Sequence, residues 1–142
     1  MTQNGGGRSR WHDVEAPGLD AFEQLAAEAF AGLPDSFRAL CRDVVIRIED
    51  FPTDEVLDAL DAETPFDLLG LFQGIGRAQD GAVSQTGQMP NMVFLYRRPI
   101  LDYWAEHEET LGDIVTHVLV HEIGHHFGLS DDDMEAVEDR AN

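Results

Sequence analysis

The stretch HEIGHHFGLSD, residues 121–131, constrains the fold of this chain more than any other part of its sequence. On an α-helix His121 and His125 lie one turn apart on the same face, because 3.6 residues make one turn. Two imidazoles at that spacing reach a single metal ion about 2 Å from each ring nitrogen, and zinc takes such ligands readily. The spacing therefore predicts a helix that carries a metal site.

The residues around the two histidines complete a candidate site. Glu122 points to a neighbouring face of the helix, where its carboxylate takes a proton from metal-bound water instead of binding the metal. Gly128 can end the helix in a left-handed turn, which brings the chain back so that Asp131 supplies a third ligand. We predict that His121, His125 and Asp131 bind zinc and that Glu122 is the catalytic base.

A second register for the metal exists on the same helix, because His117 and His121 are also four residues apart. That register would place Val118 where the carboxylate should stand and Phe127 where the third ligand should stand. We therefore favour the first register. In it, His117 has a packing or hydrogen-bonding role beside the ligands.

The third ligand has competitors in the acidic segment that follows the glycine. Asp132 and Asp133 adjoin Asp131 in the sequence. A further alternative is that a carboxylate from a later helix, Glu135 or Glu138, is the third ligand. Asp131 is preferred because it stands three residues after Gly128, the spacing that returns a ligand to the metal.

Two other features of the sequence have a functional and a structural interpretation. His126 lies about 100° round the helix from His125, so it either faces the substrate or is a partly buried structural histidine. Arg97 and Arg98 either bind a substrate carboxylate or pair with one of the 28 acidic residues, and we favour the ion pair.

The helix that carries the motif is predicted to begin after Thr110, with Asp113 at the capping-box position. Val115, Leu119, Ile123 and Phe127 recur every four residues along it, which predicts an apolar stripe facing the core. Ligands that stand beside a buried stripe are held on a rigid platform, as a metal site requires.

The rest of the chain alternates between helical and strand-like patterns. We expect residues 1–18 to form a flexible tail and residues 19–142 to form a single domain. Residues 73–90 are predicted to be a long loop. The predicted elements are a helix from Asp20 to about Gly32, a strand Val44–Glu49, a helix 54–60 after Thr53, a strand Met92–Tyr96, a helix from Pro99 to about Glu106, and a final helical segment 131–140. The apolar run 66–72 is compatible with a strand or a buried turn, and we favour a strand that ends at Gly74.

Composition and charge restrict the partners of the chain. Nine arginines and no lysine stand against 28 acids, which gives a net charge of −19. That charge disfavours nucleic acid and anionic membranes as partners. The lone Cys41 is consistent with a reducing compartment and is best explained as a small buried residue. We predict a cytoplasmic protein, because the sequence has no long apolar run and no signal-peptide core.

Four segments carry a resemblance to a known family: DVVIRIEDFP at 43–52, LLGLFQG at 68–74, VFLYRRPILDYW at 93–104 and HVLVHEIGHHFGLSDDDM at 117–134. They resemble the small bacterial zincins, a minimal metzincin-like family of zinc metallopeptidases. The last segment is the most specific of the four.

The resemblance implies an α+β fold in which a small mixed β-sheet packs against two main helices, one of which carries HExxH. It also implies zinc ligation by His121, His125 and Asp131, with Glu122 as the catalytic carboxylate. Larger metzincins usually have a histidine where Asp131 stands, and they carry a methionine turn well downstream. Met134 lies too early for that turn, so we expect it to be a core residue.

These observations predict a zinc metallopeptidase that acts on a peptide or protein substrate. The strand Met92–Tyr96 is a candidate edge on which an extended peptide would add. The alternative is a zinc-stabilised interaction domain with little or no peptidase activity. A remoter alternative is a metal-dependent endoribonuclease of the rRNA-maturation kind. Those enzymes lack the glutamate after the first histidine, and they need a basic surface, which the net charge of −19 disfavours here.

Overall fold

The computed structural model of the chain describes residues 8–74 and 91–141. Within those ranges it contains six helices, three strands and two short 3-10 turns, Ala39–Cys41 and Pro65–Asp67. The predicted α+β class is confirmed. The helices are α1 (Leu19–Ala31), α2 (Asp35–Arg38), α3 (Asp54–Ala59), α4 (Arg97–Glu106), α5 (Leu111–His126) and α6 (Asp131–Asp139), and the strands are β1 (Val44–Glu49), β2 (Gly70–Gln73) and β3 (Asn91–Tyr96).

The three strands form one mixed sheet in the order β1-β3-β2. Strand β1 runs parallel to β3, with Ile46 beside Val93, and β2 runs antiparallel to β3, with Phe72 beside Val93. Because β3 has a partner on each side, the prediction that Met92–Tyr96 is an edge strand is wrong. The edges are β1 and β2, and the apolar composition of β3 reflects its central position.

The hydrophobic core lies between one face of the sheet and the helices α1 and α5. Of the predicted stripe on α5, Val115, Leu119 and Ile123 are fully buried, whereas Phe127 is 36% exposed because it lies beyond the last turn of the helix. The core is completed by apolar residues from five other elements, the connection between α1 and α2, and the turn before β1: Phe22, Ala26, Leu33, Phe37, Cys41, Val93, Leu95, Ile100, Met134 and Val137.

The strand predicted to start at Phe66 and end at Gly74 begins later than expected and ends at Gln73. Thr64 accepts a hydrogen bond from the Phe66 amide, and Asp67 accepts one from the Thr64 amide, so a capping box holds Pro65–Asp67 in a 3-10 turn. The chain becomes extended only at Gly70. Most of the predicted loop 73–90 lies outside the described residues.

The predicted ion pair of Arg97 is confirmed, and it also anchors the segment before α1. The Arg97 Nε donates to Asp50 Oδ1 over 2.7 Å, and its Nη1 donates to the Pro17 carbonyl over 2.9 Å. Arg98 forms no ion pair within the described residues, so the prediction is wrong for this residue; its guanidinium lies over the ring of Phe51. Both arginines therefore stabilise the start of α4.

Cys41 is buried, as the sequence predicts, with 4% of its surface exposed. Burial raises the pKa of its thiol to about 11. None of the helices in the described ranges has the length and apolar character that crossing a bilayer requires.

Candidate active site on helix α5

The helix α5 has well-defined ends. The Thr110 hydroxyl accepts a hydrogen bond from the Asp113 amide over 3.1 Å at the start of the helix. At the other end Gly128 has a φ of 79°, and the amides of Gly128 and Leu129 donate to the His125 and Gly124 carbonyls. The predicted left-handed turn is confirmed, and these two bonds form a Schellman motif.

Three histidines follow one another along α5 on the face towards α6. The rings of His121 and His125 meet edge to face with their centroids 5.7 Å apart, and those of His117 and His121 are 3.9 Å apart. Glu138 contacts both of the first two: its Oε1 lies 3.0 Å from His117 Nδ1 and its Oε2 lies 3.1 Å from His121 Nε2. His121 therefore lies between two possible sets of ligands.

Within the described ranges, one group of three potential ligands has all of its donor atoms within 4.8 Å of one another, and it consists of His117, His121 and Glu138. His125 does not join that group. Asp131 is exposed in the first turn of α6. The structure thus brings together the less favoured set of ligands, and the assignment of His125 and Asp131 stays a prediction.

Glu138 reaches the histidines because α6 packs tightly on α5. A Cβ atom at Gly124 would lie 2.5 Å from the Sδ of Met134, so only glycine permits this approach. Met134 is fully buried, as predicted, and Glu138 follows it by one helical turn on the same face of α6. That spacing is the sequence signal that would have placed Glu138 beside the histidines.

Glu122 lies on the face of α5 next to the histidines, against strand β2. Its carboxylate accepts a hydrogen bond from the Phe72 amide. Burial raises the pKa of Glu122, while the charge of His125 and the Phe72 amide lower it by a smaller amount. Gly70 makes room for this contact, because a Cβ there would lie 2.7 Å from Val118 Cγ1 and 3.3 Å from Glu122 Cγ.

Among the described residues, no further strand pairs with β2 on the side to which the Phe72 amide points. The Tyr96 amide donates to the Leu69 carbonyl over 3.0 Å, which sets the alternation of hydrogen bonds between β2 and β3. By that alternation Leu71 and Gln73 bond to β3, whereas the amides of Gly70 and Phe72 point away from it. Glu122 therefore lies at the unpaired edge of β2, a relationship that the sequence does not reveal.

The family model described as zincin-like metallopeptidase matches residues 41–141. The chain belongs to this family. The match includes every strand of the sheet and the whole of α5 and α6, so it spans all the predicted site residues. None of the curated proteins compared with the chain matches it.

Membership of the zincin-like metallopeptidases implies a metal, typically zinc. The side chains on α5 and α6 fit that metal chemically, because imidazole nitrogens and carboxylate oxygens are its usual ligands besides thiolate. The group formed by His117, His121 and Glu138 gives such donors in a compact arrangement. The mixed sheet packed against α1 and α5 agrees with the fold expected for this family.

In this zincin-like chain, His126 packs against strand β2. Its ring stacks on Phe72 with the centroids 4.0 Å apart and the planes inclined by 18°. A Cβ at Gly74 would come within 2.6 Å of His126 Cε1, so the ring also packs closely against the backbone at the end of β2. Of the two interpretations given by the sequence, this contact favours the partly buried structural histidine.

Proposed function

We propose that this protein is a zinc-dependent peptidase that hydrolyses peptide bonds with Glu122 as the general base. The observation that carries the proposal is the position of Glu122, which lies beside the metal-binding face of α5 and contacts the unpaired edge of β2. A carboxylate at that place adjoins both a bound metal and an extended peptide. This is the arrangement that hydrolysis of a peptide bond requires.

His121, His125 and Asp131 would hold the metal in this proposal. When bound, zinc lowers the pKa of its water ligand to about 7 and polarises the carbonyl of the substrate. The role of Glu138 is then to hold His117 and His121 in place through their ring nitrogens. Glu138 is also the alternative third ligand.

Strand β2 would bind the substrate. Its outward amide at Gly70 would pair with an extended peptide that adds to the sheet as a fourth strand, and the Phe72 amide would exchange its bond to Glu122 for one to the peptide. Glu122 would then take a proton from the attacking water and pass it to the leaving amine. The substrate edge is therefore β2, in place of the strand Met92–Tyr96.

The experiment that tests the proposal is a peptidase assay on a mixture of peptides, with the zinc content of the same samples measured by mass spectrometry. We expect Glu122→Gln to lower turnover by at least about 10²-fold, because a general base contributes that much, while zinc content stays unchanged. Glu23→Gln, an exposed acid on α1, is the matched control and should keep full activity. Full activity in Glu122→Gln would contradict the proposal.

A second candidate function is a zinc-stabilised interaction domain. It is favoured by the contact of His117 and His121 with Glu138, because a metal held by that group would join α5 to α6 and so stabilise the fold without any catalytic step. In that case chelation of zinc would lower the melting temperature, and the wild-type protein would cleave no peptide in the assay. Cleavage that depends on Glu122 rules this candidate out.

A further inference from the structure

A groove of about 480 Å³ lies between α3 and the sheet. Phe94 and Tyr96 form its floor on β3, and their rings lie nearly parallel with the centroids 6.2 Å apart. Val56 of α3 lines it as well. Because Val93 and Leu95 face the core under α5, the alternation of side chains along β3 places Phe94 and Tyr96 on the other face of the sheet. We call this cavity the sheet groove.

Two carboxylates line the sheet groove without a cationic partner. Glu49 enters it from the end of β1, and Glu55 enters it from α3. Within residues 8–74 and 91–141, neither side chain forms an ion pair. The sheet groove therefore combines an aromatic floor with two uncompensated negative charges, which is the combination that attracts an organic cation.

The Tyr96 hydroxyl is a further polar group in the sheet groove. The residue is 3% exposed, yet no hydrogen bond joins its hydroxyl to another residue of the described ranges. A buried phenol usually has a hydrogen-bond partner, since burial of a polar group without one destabilises the fold. Burial raises the pKa of Tyr96 to about 12, with smaller contributions from the carboxylates of Glu49 and Glu122, so the group stays a neutral hydroxyl. It is suited to accept a hydrogen bond from a cation.

The sheet groove adjoins the proposed substrate edge. Gln73 lines it and directly follows Phe72, whose amide contacts Glu122. A peptide that pairs with β2 would direct alternate side chains to the two faces of the sheet. Side chains on one face would point towards α5, and those on the other face would point towards the sheet groove.

We infer that the sheet groove is a specificity pocket for a basic side chain, arginine or lysine, of the peptide substrate. The inference rests on the proposed function, because it takes the peptide to lie along β2. The aliphatic stem of the side chain lies on Phe94 and Tyr96, and its cationic end pairs with Glu49 and Glu55. The enzyme is thus selective for peptides with a basic residue at one position near the cleaved bond.

The test is a binding measurement that needs no turnover. Labelled alanine-based peptides, each with one arginine at a different position, and counterparts with glutamine at that position are titrated with full-length Glu122→Gln protein. Zinc is present, and fluorescence anisotropy reports binding. Salt of about 0.15 M screens the long-range attraction of the acidic surface. We expect at least one position at which arginine binds about tenfold more tightly than glutamine, the ratio that 1.4 kcal/mol of interaction gives.

Matched charge variants decide where the cation binds. In the Glu122→Gln background, replacing both groove carboxylates (Glu49→Gln and Glu55→Gln) should abolish the preference for arginine. The pair Glu23→Gln with Glu28→Gln makes the same change of net charge on the exposed side of α1, across the sheet, and should retain it. Absence of any preference, or an equal loss in both pairs, would overturn the inference.

A third variant tests the hydroxyl. Tyr96→Phe removes a group that has no hydrogen bond in the described ranges, so the fold is maintained, and the preference for arginine should fall by about threefold to tenfold. An unchanged preference would show that the cation does not reach Tyr96, contrary to the inference. Preference for arginine without any cleavage by the wild-type protein would refute the proposed function alone, whereas cleavage without that preference would refute the specificity pocket alone.

Discussion

Gly70 of strand β2 lies directly against Glu122 of helix α5: a Cβ atom at Gly70 would be 3.3 Å from the Glu122 Cγ. The same atom would lie 2.9 Å from the Phe94 carbonyl oxygen, which the sheet fixes, and 2.7 Å from Val118 Cγ1. The helix and the strand can therefore meet at this distance only when residue 70 has no side chain. The position of the proposed base follows from this close contact.

We predict that Gly70→Ala separates β2 from α5. The free energy of unfolding should fall by about 1–3 kcal/mol, as for other overpacked sites, and peptidase activity should fall because Glu122 is displaced. Chemical denaturation and the peptide assay measure the two effects. Gly112→Ala is the control, because a Cβ there meets nothing within 4 Å, and it should leave both unchanged or raise stability slightly. Unaltered activity in Gly70→Ala would show that the contact does not position the base.

The third zinc ligand can be identified by zinc affinity. We predict that Asp131→Asn weakens zinc binding by at least about 10²-fold, because a ligand is lost, whereas Glu138→Gln weakens it by about tenfold or less, because only the support of His121 is lost. Competition with a coloured chelator measures both dissociation constants. The reverse order of the two effects would assign the metal to the group of His117, His121 and Glu138.

We predict that Gly124 and Met134 are energetically coupled. Gly124→Ala should destabilise the fold by about 1–3 kcal/mol, because the new methyl group meets the buried Met134 side chain, and Met134→Ala should cost about 2–5 kcal/mol. The double variant should lose less than the sum of these two values, since truncated Met134 leaves room for the methyl group. Denaturant unfolding of the four proteins gives the coupling. Strict additivity would show that the two side chains do not compete for space.

Because the Cys41 thiol is buried, we predict that the free energy of unfolding falls as the pH rises in the alkaline range. The pKa of its thiol is raised from 9.0 to about 11 in the folded protein, so the folded state holds the proton more tightly than the unfolded state. The resulting stability is fully present below pH 9 and is lost as the pH rises towards 11, by at most about 2–3 kcal/mol. Unfolding in urea at several pH values should show a smaller decline for Cys41→Ala than for the wild-type protein. An equal decline in both would contradict this origin.

The elements that the sequence predicts well are those whose signals are local. The N-caps Thr53 and Thr110 and the left-handed Gly128 are each determined by a few adjacent residues, so α3 and α5 were found with nearly correct ends. The start of β2 is harder to predict. The apolar run from Phe66 favours a strand, but the capping box of Thr64 and Asp67 holds the first residues of that run in a 3-10 turn.

Partners from distant parts of the chain were not predictable in the same way. The apolar run of β3 is compatible with a central or an edge position, and only its pairing with both β1 and β2 decides between them. The contact of Glu138 with two histidines needs the packing of Met134 on Gly124, across a turn that the sequence does not orient.

Helical periodicity and capping depend on residues within one or two turns, so the motif-bearing helix, its caps and the chemical types of the candidate ligands can be predicted from the amino-acid sequence. The surroundings of that helix depend on tertiary packing. It placed Glu122 at the free edge of β2, Glu138 against His121, and Tyr96 in the sheet groove. The reason is that strand order and helix packing are set by the burial of side chains far apart in the chain, which no local pattern encodes.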